Sequence, residues 1–536
     1  MISTRSTAYT SRWLRLTLLA ALAPFVVGSL CGGDGSRGGI AVIVQTERPD
    51  CAPLFGPFPP GLGVLPLSGR AVVATSGPQT LIPFELGGAA PENVGPATPP
   101  PLPMDSDGDG EPDFLRSTAL GFGTRTPILG RLSVVREGLV LVSASSYEQV
   151  LAFDPATVGL VTLSVTNPPA SGEHDPADHP FLSTAGSTAD RTAVATRVCV
   201  RPPVPVDSGD VAIEADCDPQ MPSFYTAFTA GQAVVGDLLV VATSNLASSA
   251  EGRFRPGTLL LFSFDDGGAV PAVAPLVERP VVFTTAFNPT SVTPFATTSG
   301  RALALVGNTG AITLTSGPGS VGTNASIDVL DVATRRIAAT IPMGPAALGF
   351  AGLSTDAATG LAVVGSPTQK QIYAVDLSVL DDDALYAGTG PPVLLDGSDP
   401  VHPDARIFDG DTPFEIPLRA GGPDPSICDG ATNVLVGPDR DGDADHRDVY
   451  VTDKCDGTLS VLDVDLRAPD EVPLDPSRFS IERQLGIAAE NVPANVGQEM
   501  EPGRMVLGPT GASGPALYFL MNRPSPALFC GLDLDY

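Results

Sequence analysis

The chain has 536 residues, with 58 glycines, 55 prolines and 43% hydrophobic residues. That is too apolar for a disordered polymer and suits many short strands punctuated by turns. Sixty acidic residues against 30 basic ones give a formal charge of −30, a field that repels a phosphate backbone and excludes nucleic acid as a partner.

At the N-terminus, Arg5, Arg12 and Arg15 precede an apolar run of 12 residues, 16–27 (LTLLAALAPFVV). The run is short for a membrane span, contains Pro24 and gives way to small residues, so residues 1–30 read as an export signal. Trp13, the only tryptophan, falls inside it. The sequence Leu30-Cys31-Gly32-Gly33 resembles the start of a bacterial lipoprotein, with Leu30 where such signals carry a small residue. The resemblance implies acylation of Cys31, a place in the cell envelope and membrane contact through that anchor. Ordinary cleavage before Leu30 is the other reading.

Residues 31–65 read as a Pro/Gly-rich tether with one short strand, and 66–536 as the folded unit, with inserts at about 86–127, 166–230 and 378–430. Seven cysteines are present; setting Cys31 aside leaves six, an even number suited to an oxidising compartment. Proximity in sequence suggests Cys199–Cys217 and Cys428–Cys455, which leaves Cys51–Cys530 to tie the two ends of the mature chain together.

Internal repetition is the strongest signal. Residues 139–154 (LVLVSASSYEQVLAFD), 361–376 (LAVVGSPTQKQIYAVD) and 448–463 (DVYVTDKCDGTLSVLD) align without gaps. Each has an apolar run, a polar turn and a second run closed by Asp, which is a β-hairpin pattern. The closing Asp suits a structural role, accepting hydrogen bonds from turn amides. Looser copies occupy 71–84, 238–265, 302–331 and 516–533, making seven hairpins. The runs are nearly continuous rather than alternating, which predicts sheets covered on both faces. A ring of stacked blades does this, so the expected fold is an all-β, seven-bladed β-propeller; tandem β-sandwich domains are the alternative.

The stretch DVYVTDKCDGTLSVLDVD resembles the YVTN repeat of bacterial β-propellers. Val449, Tyr450, Val451 and Thr452 match, Asp453 stands where Asn is usual, and Gly457, Thr458, Ser460, Val461 and Asp463 continue the match. The resemblance implies the fold rather than an activity.

Two acidic loops carry the sharpest candidate chemistry. In Asp105-Ser106-Asp107-Gly108-Asp109-Gly110-Glu111-Pro112-Asp113, carboxylates alternate with chain-bending glycines, a spacing that can surround a hard cation with oxygen. The loop resembles those of dockerin and thrombospondin type-3 repeats, which implies calcium on Asp105, Asp107, Asp109, Glu111 and Asp113. The second loop, 439–448, resembles the calcium loops of integrin-type propellers, with Ala444 where Gly is usual. Asp439, Asp441, Asp443 and either Asp445 or Asp448 would be its ligands, bracing a blade rather than catalysing.

His174 and His179 lie in a Pro-containing loop without metal-ligand spacing. No nucleophile elbow, P-loop or Rossmann fingerprint occurs. The expectation is a binding or scaffold module for a protein, glycan or small molecule, with structural calcium and no catalytic residue assigned. A propeller hydrolase or lyase using loop carboxylates and calcium is the alternative.

Overall fold

The computed structural model describes residues 45–47, 50–54, 61–65, 68–76, 79–86, 102–105, 108, 115–116, 129–144, 149–165, 197–199, 226–247, 253–276, 279, 281–310, 325–344, 352–366, 371–398, 401, 405, 414–415, 431–439, 442–453, 457–466, 478–487, 502–511, 514–521 and 528–533. Seven sheets form, each built on a meander of antiparallel strands. Blade 1 runs outward through Gly61–Leu65, Arg70–Ser76, Gln79–Glu85 and Leu102–Pro103. Blade 2 follows with Leu129–Arg136, Leu139–Ala144, Gln149–Asp154 and Gly159–Leu160. Blade 3 has Thr226–Val235, Leu238–Ala247, Arg253–Asp265 and Ala272–Pro275. Blade 4 has Pro289–Ala296, Ala302–Asn308, Ala325–Asp331 and Arg336–Gly344. Blade 5 has Gly352–Asp356, Leu361–Ser366, Gln371–Asp376 and Phe414–Glu415. Blade 6 has Ala431–Pro438, His446–Asp453, Thr458–Asp465 and Phe479–Ile487. Blade 7 has Pro502–Gly511, Gly514–Met521 and Leu528–Asp533, and takes its outermost strand, Asp50–Pro53, from the other end of the chain.

All seven repeats seen in the sequence are the middle two strands of a blade. The first strands of successive blades touch one another in order, and that of blade 7 touches that of blade 1. The ring is therefore a closed, seven-bladed β-propeller, and the β-sandwich alternative is set aside. Residues 31–65 are more than a tether: Asp50–Pro53 and Gly61–Leu65 are blade strands, so the ring begins before residue 66. These strands were hard to see because they are short and rich in Gly and Pro.

The latch pairs Cys51 with Cys530 in antiparallel register, and the two are joined in a disulfide across 479 residues of sequence. Of the other proposed cysteine partners, Cys199 lies in the strand Arg197–Cys199, which pairs with Gln149–Leu151. Cys217, Cys428, Cys455 and Cys31 lie outside the described residues.

The apolar runs are continuous because each middle strand faces two seams. Ala71 and Val73 pack toward blade 7, while Val72 and Ala74 pack toward blade 2. One apolar cluster fills each of the seven seams. The blade edges are extended by pieces of the inserts. Ser164–Val165 and Val393–Leu394 add parallel strands outside blades 3 and 4, and Gln45–Glu47 does so outside blade 6.

Aspartates at strand ends hold the turns: Asp154 and Asp331 close hairpins, and Asp356 ends the inner strand of blade 5. Asp154, Asp331 and Asp356 each accept the hydroxyl of the threonine three residues on, at 2.9, 2.6 and 2.9 Å. The residue after that threonine is left-handed in all three turns: Val158, Arg335 and Gly360.

Asp328 is a buried carboxylate in blade 4. It accepts the Thr285 amide at 2.7 Å, the Thr285 hydroxyl at 2.5 Å and the Thr340 hydroxyl at 3.0 Å. Burial nevertheless raises its pKa. The folded state thus keeps a proton that the unfolded chain releases, so Asp328's contribution declines as pH rises above the ordinary carboxylate value of about 4. Asp328→Asn is expected to flatten that part of the stability profile, read as urea midpoints between about pH 4 and pH 7. An unchanged slope would contradict the assignment.

Candidate functional site: the central channel

The first strand of each blade borders the central channel, and some of its side chains, such as Leu132, Val134 and Leu353, still pack into the seams with those of its outer neighbours. Five of these strands carry a β-bulge near the start, in blades 2, 3, 4, 6 and 7. In blade 2, Leu129 pairs with Ala144 and Leu132 with Val142, so Gly130-Arg131 stands opposite Ser143 alone. In blade 7, Pro502 pairs with Met521 and Met505 with Phe519, so Gly503-Arg504 stands opposite Leu520 alone. The two arginines occupy equivalent places in bulges that interrupt the ladder and re-aim a side chain.

Local chemistry explains the bulge in blade 2. A Cβ on Gly130 would collide with the Ser143 hydroxyl, so any larger residue would have to displace that side chain. The Arg131 carbonyl, freed from regular pairing, accepts Gln232 Nε2 from blade 3 at 2.8 Å and the Ser143 hydroxyl at 3.5 Å. Gln232 also donates to the Leu141 carbonyl at 3.1 Å, which pins blade 3 to the bulge. Between blades 2 and 7 the inner strand of blade 1 reads Gly61-Leu62-Gly63. A Cβ on Gly61 would lie 2.6 Å from the Gly130 carbonyl oxygen, so close approach requires glycine there.

Arg131 and Arg504 are both partly exposed, although they lie on innermost strands deep in the ring. Burial lowers the pKa of each, that of Arg504 to about 10. For Arg131 the charge of Arg504, two blades away round the ring, lowers it further. Neither side chain has a carboxylate partner or a hydrogen bond among the described residues. A guanidinium stays protonated in proteins, so both are cations at neutral pH. Other charged residues of the inner strands are paired: Asp356 takes Arg447 Nε at 2.6 Å, and Arg136 lies 3.5 Å from Asp266.

At the rim of blade 4, a cavity of about 470 Å³ is bordered by Arg279, Arg335, Arg336 and Tyr386. There Arg279 donates to the Thr334 carbonyl, and Arg336 to the carbonyls of Leu385, Tyr386 and Gly390.

The acidic loops are seen in part. Asp105 is exposed and its carboxylate accepts the Gly108 amide at 2.7 Å, with Gly108 left-handed. Asp107, Asp109, Glu111, Asp113 and Asp441 lie outside the described residues. In the second loop the Asp439 carboxylate accepts the Asp443 amide at 2.7 Å, and Asp443 accepts the Asp445 amide at 2.9 Å. Asp443 and Asp445 are exposed, whereas Asp448 is buried and accepts the Tyr450 hydroxyl at 3.0 Å. His446 Nδ1 sits 2.8 Å from Asp463 on the neighbouring strand. Among the described residues, no three of His, Cys, Asp and Glu gather around one point.

The arginines were missed in the sequence. Gly130-Arg131-Leu132 and Gly503-Arg504-Met505 share a Gly-Arg-apolar pattern, but so do 69–71, 252–254 and 300–302, so local sequence does not single them out.

No protein-family model and no curated protein matches the chain. Solved structures do. Hydrazine synthase of Kuenenia stuttgartiensis aligns over 91% of this chain and 96% of its own, at 10% identity and a TM-score of 0.40. Sqt1 of Saccharomyces cerevisiae aligns over 91% and 100%, at 8% identity and a TM-score of 0.40. The periplasmic gluconolactonase of Pseudomonas aeruginosa aligns over 64% and 75%, at 15% identity and a TM-score of 0.33.

Proposed function

We propose that this chain is an exported, envelope-associated propeller that binds a ligand in its central channel, with calcium in its two acidic loops as a brace. The observation that carries the reading is the makeup of the channel wall. Seven innermost strands surround the channel, and two of them hold an arginine, Arg131 and Arg504, in equivalent bulges. A few polar groups held in fixed positions are what orients a ligand in a small-molecule site. The calcium reading draws on the alternating carboxylates at 105–113 and 439–448 and on the turns that Asp105, Asp439 and Asp443 close.

One melting series tests both halves. A compound library is expected to contain ligands that raise Tm saturably and are recovered unchanged. Recovery of a converted product would instead support the hydrolase or lyase alternative. Chelation is expected to lower Tm; a cation at 100-fold excess over its Kd stabilises by about 2.7 kcal/mol. No shift on chelation, with no metal by elemental analysis, would sink the calcium half.

A further inference from the structure

Two arginines in equivalent bulges on the innermost strands of blades 2 and 7, with no carboxylate partner among the described residues, are an incomplete arrangement. Bringing like charges together in a partly dehydrated space is unfavourable unless something neutralises them. Two other arginines of the ring have acidic partners: Arg301 pairs with Asp331 at 3.2 Å and Arg447 with Asp356 at 2.6 Å. The chain also has 60 acidic residues from which a partner might have been drawn. At Arg131 and Arg504 it supplies none among the described residues, although two equivalent bulges and Gln232 hold the arginine-bearing backbones in place. Guanidinium is also the group whose planar fork of donors matches an oxyanion.

We propose that Arg131 and Arg504 together form an oxyanion site in the central channel, which selects an organic ligand bearing a carboxylate or a phosphate. The proposal rests on the channel-binding reading and adds the chemical class of the ligand. The acidic exterior would repel such anions at long range, so the site depends on close contact and not on steering. Its selectivity arises because an uncharged analogue leaves both cations unneutralised.

The test is a binding titration of the full chain by calorimetry and melting, at fixed ionic strength in chloride. The probes are succinate, glycerol 3-phosphate and, as the uncharged control, glycerol. One or both anions are expected to bind saturably, and glycerol not to bind; which anion wins separates carboxylate from phosphate. Arg131→Gln and Arg504→Gln are each expected to weaken binding by about tenfold or more. Arg504→Lys, which keeps the charge and loses the fork, should fall between. Ligand-free Arg131→Gln should melt no lower than the parent at low ionic strength, since one of two repelling cations is gone. If a Gln variant does not fold, Arg504→Lys still gives the comparison. Equal anion binding by parent and variants overturns the proposal, as does the absence of saturable binding by either anion. Equal binding of glycerol overturns the anion proposal while leaving the channel-binding reading standing.

Discussion

Breaking the Cys51–Cys530 bond is expected to cost the protein more stability than any other change of two atoms. The bond closes a loop of 479 residues. In the chain-entropy account a loop of that size is worth about 6 kcal/mol, and native disulfides commonly deliver about 2–5 kcal/mol. Only four residue pairs hold the latch strand to blade 7 without it. Urea midpoints of the oxidised protein, the reduced protein and Cys51→Ser should show both lesions falling by a similar, large amount. Coincident midpoints for oxidised and reduced protein would mean that the latch does not limit stability.

Phe529→Ala should be the most damaging single core substitution at the same seam. Phe529 is fully buried, meets Phe84 of blade 1 edge-on at 4.9 Å between ring centroids, and lies 5.9 Å from Tyr518. Removing such a ring leaves a cavity in a packed interior and costs about 3–5 kcal/mol. Because the latch holds the same seam, its loss and the cavity should not add independently. Phe262→Ala in blade 3, equally buried but far from the latch, should add to the loss of the disulfide. Additivity at both sites would show that the latch and the blade 7–blade 1 seam are not coupled.

The parts of the fold legible in the sequence are those under the strongest physical constraint. A strand pressed between two seams must be apolar on both faces, so residues 71–74, 139–142 and 361–364 stand out as unbroken runs. The latch disulfide was legible for a different reason: the expectation that the other cysteines pair by proximity in sequence leaves Cys51 and Cys530 for each other. Inner strands were not legible, because a strand beside an open channel has no fixed pattern. Thr290, Ser291 and Thr293 in blade 4, and Gly61 and Gly63 in blade 1, read as loop residues. Outer strands such as Gly159–Leu160 and Phe414–Glu415 are two residues long and carry no periodicity at all.

The candidate site was hidden for the same reason. Arg131 and Arg504 lie 373 positions apart by their numbering, and only closure of the ring brings them to the same channel. Acidic loops, by contrast, advertise themselves through local spacing. That contrast separates features written in one segment from features assembled by the fold.

The most direct test is a crystal structure of the oxidised chain grown with succinate. The account predicts a ring closed by Asp50–Pro53, with Arg131 and Arg504 both donating to one carboxylate-bearing molecule in the channel. A structure in which acidic side chains of the protein itself neutralise both arginines, with succinate absent from the channel, would contradict it.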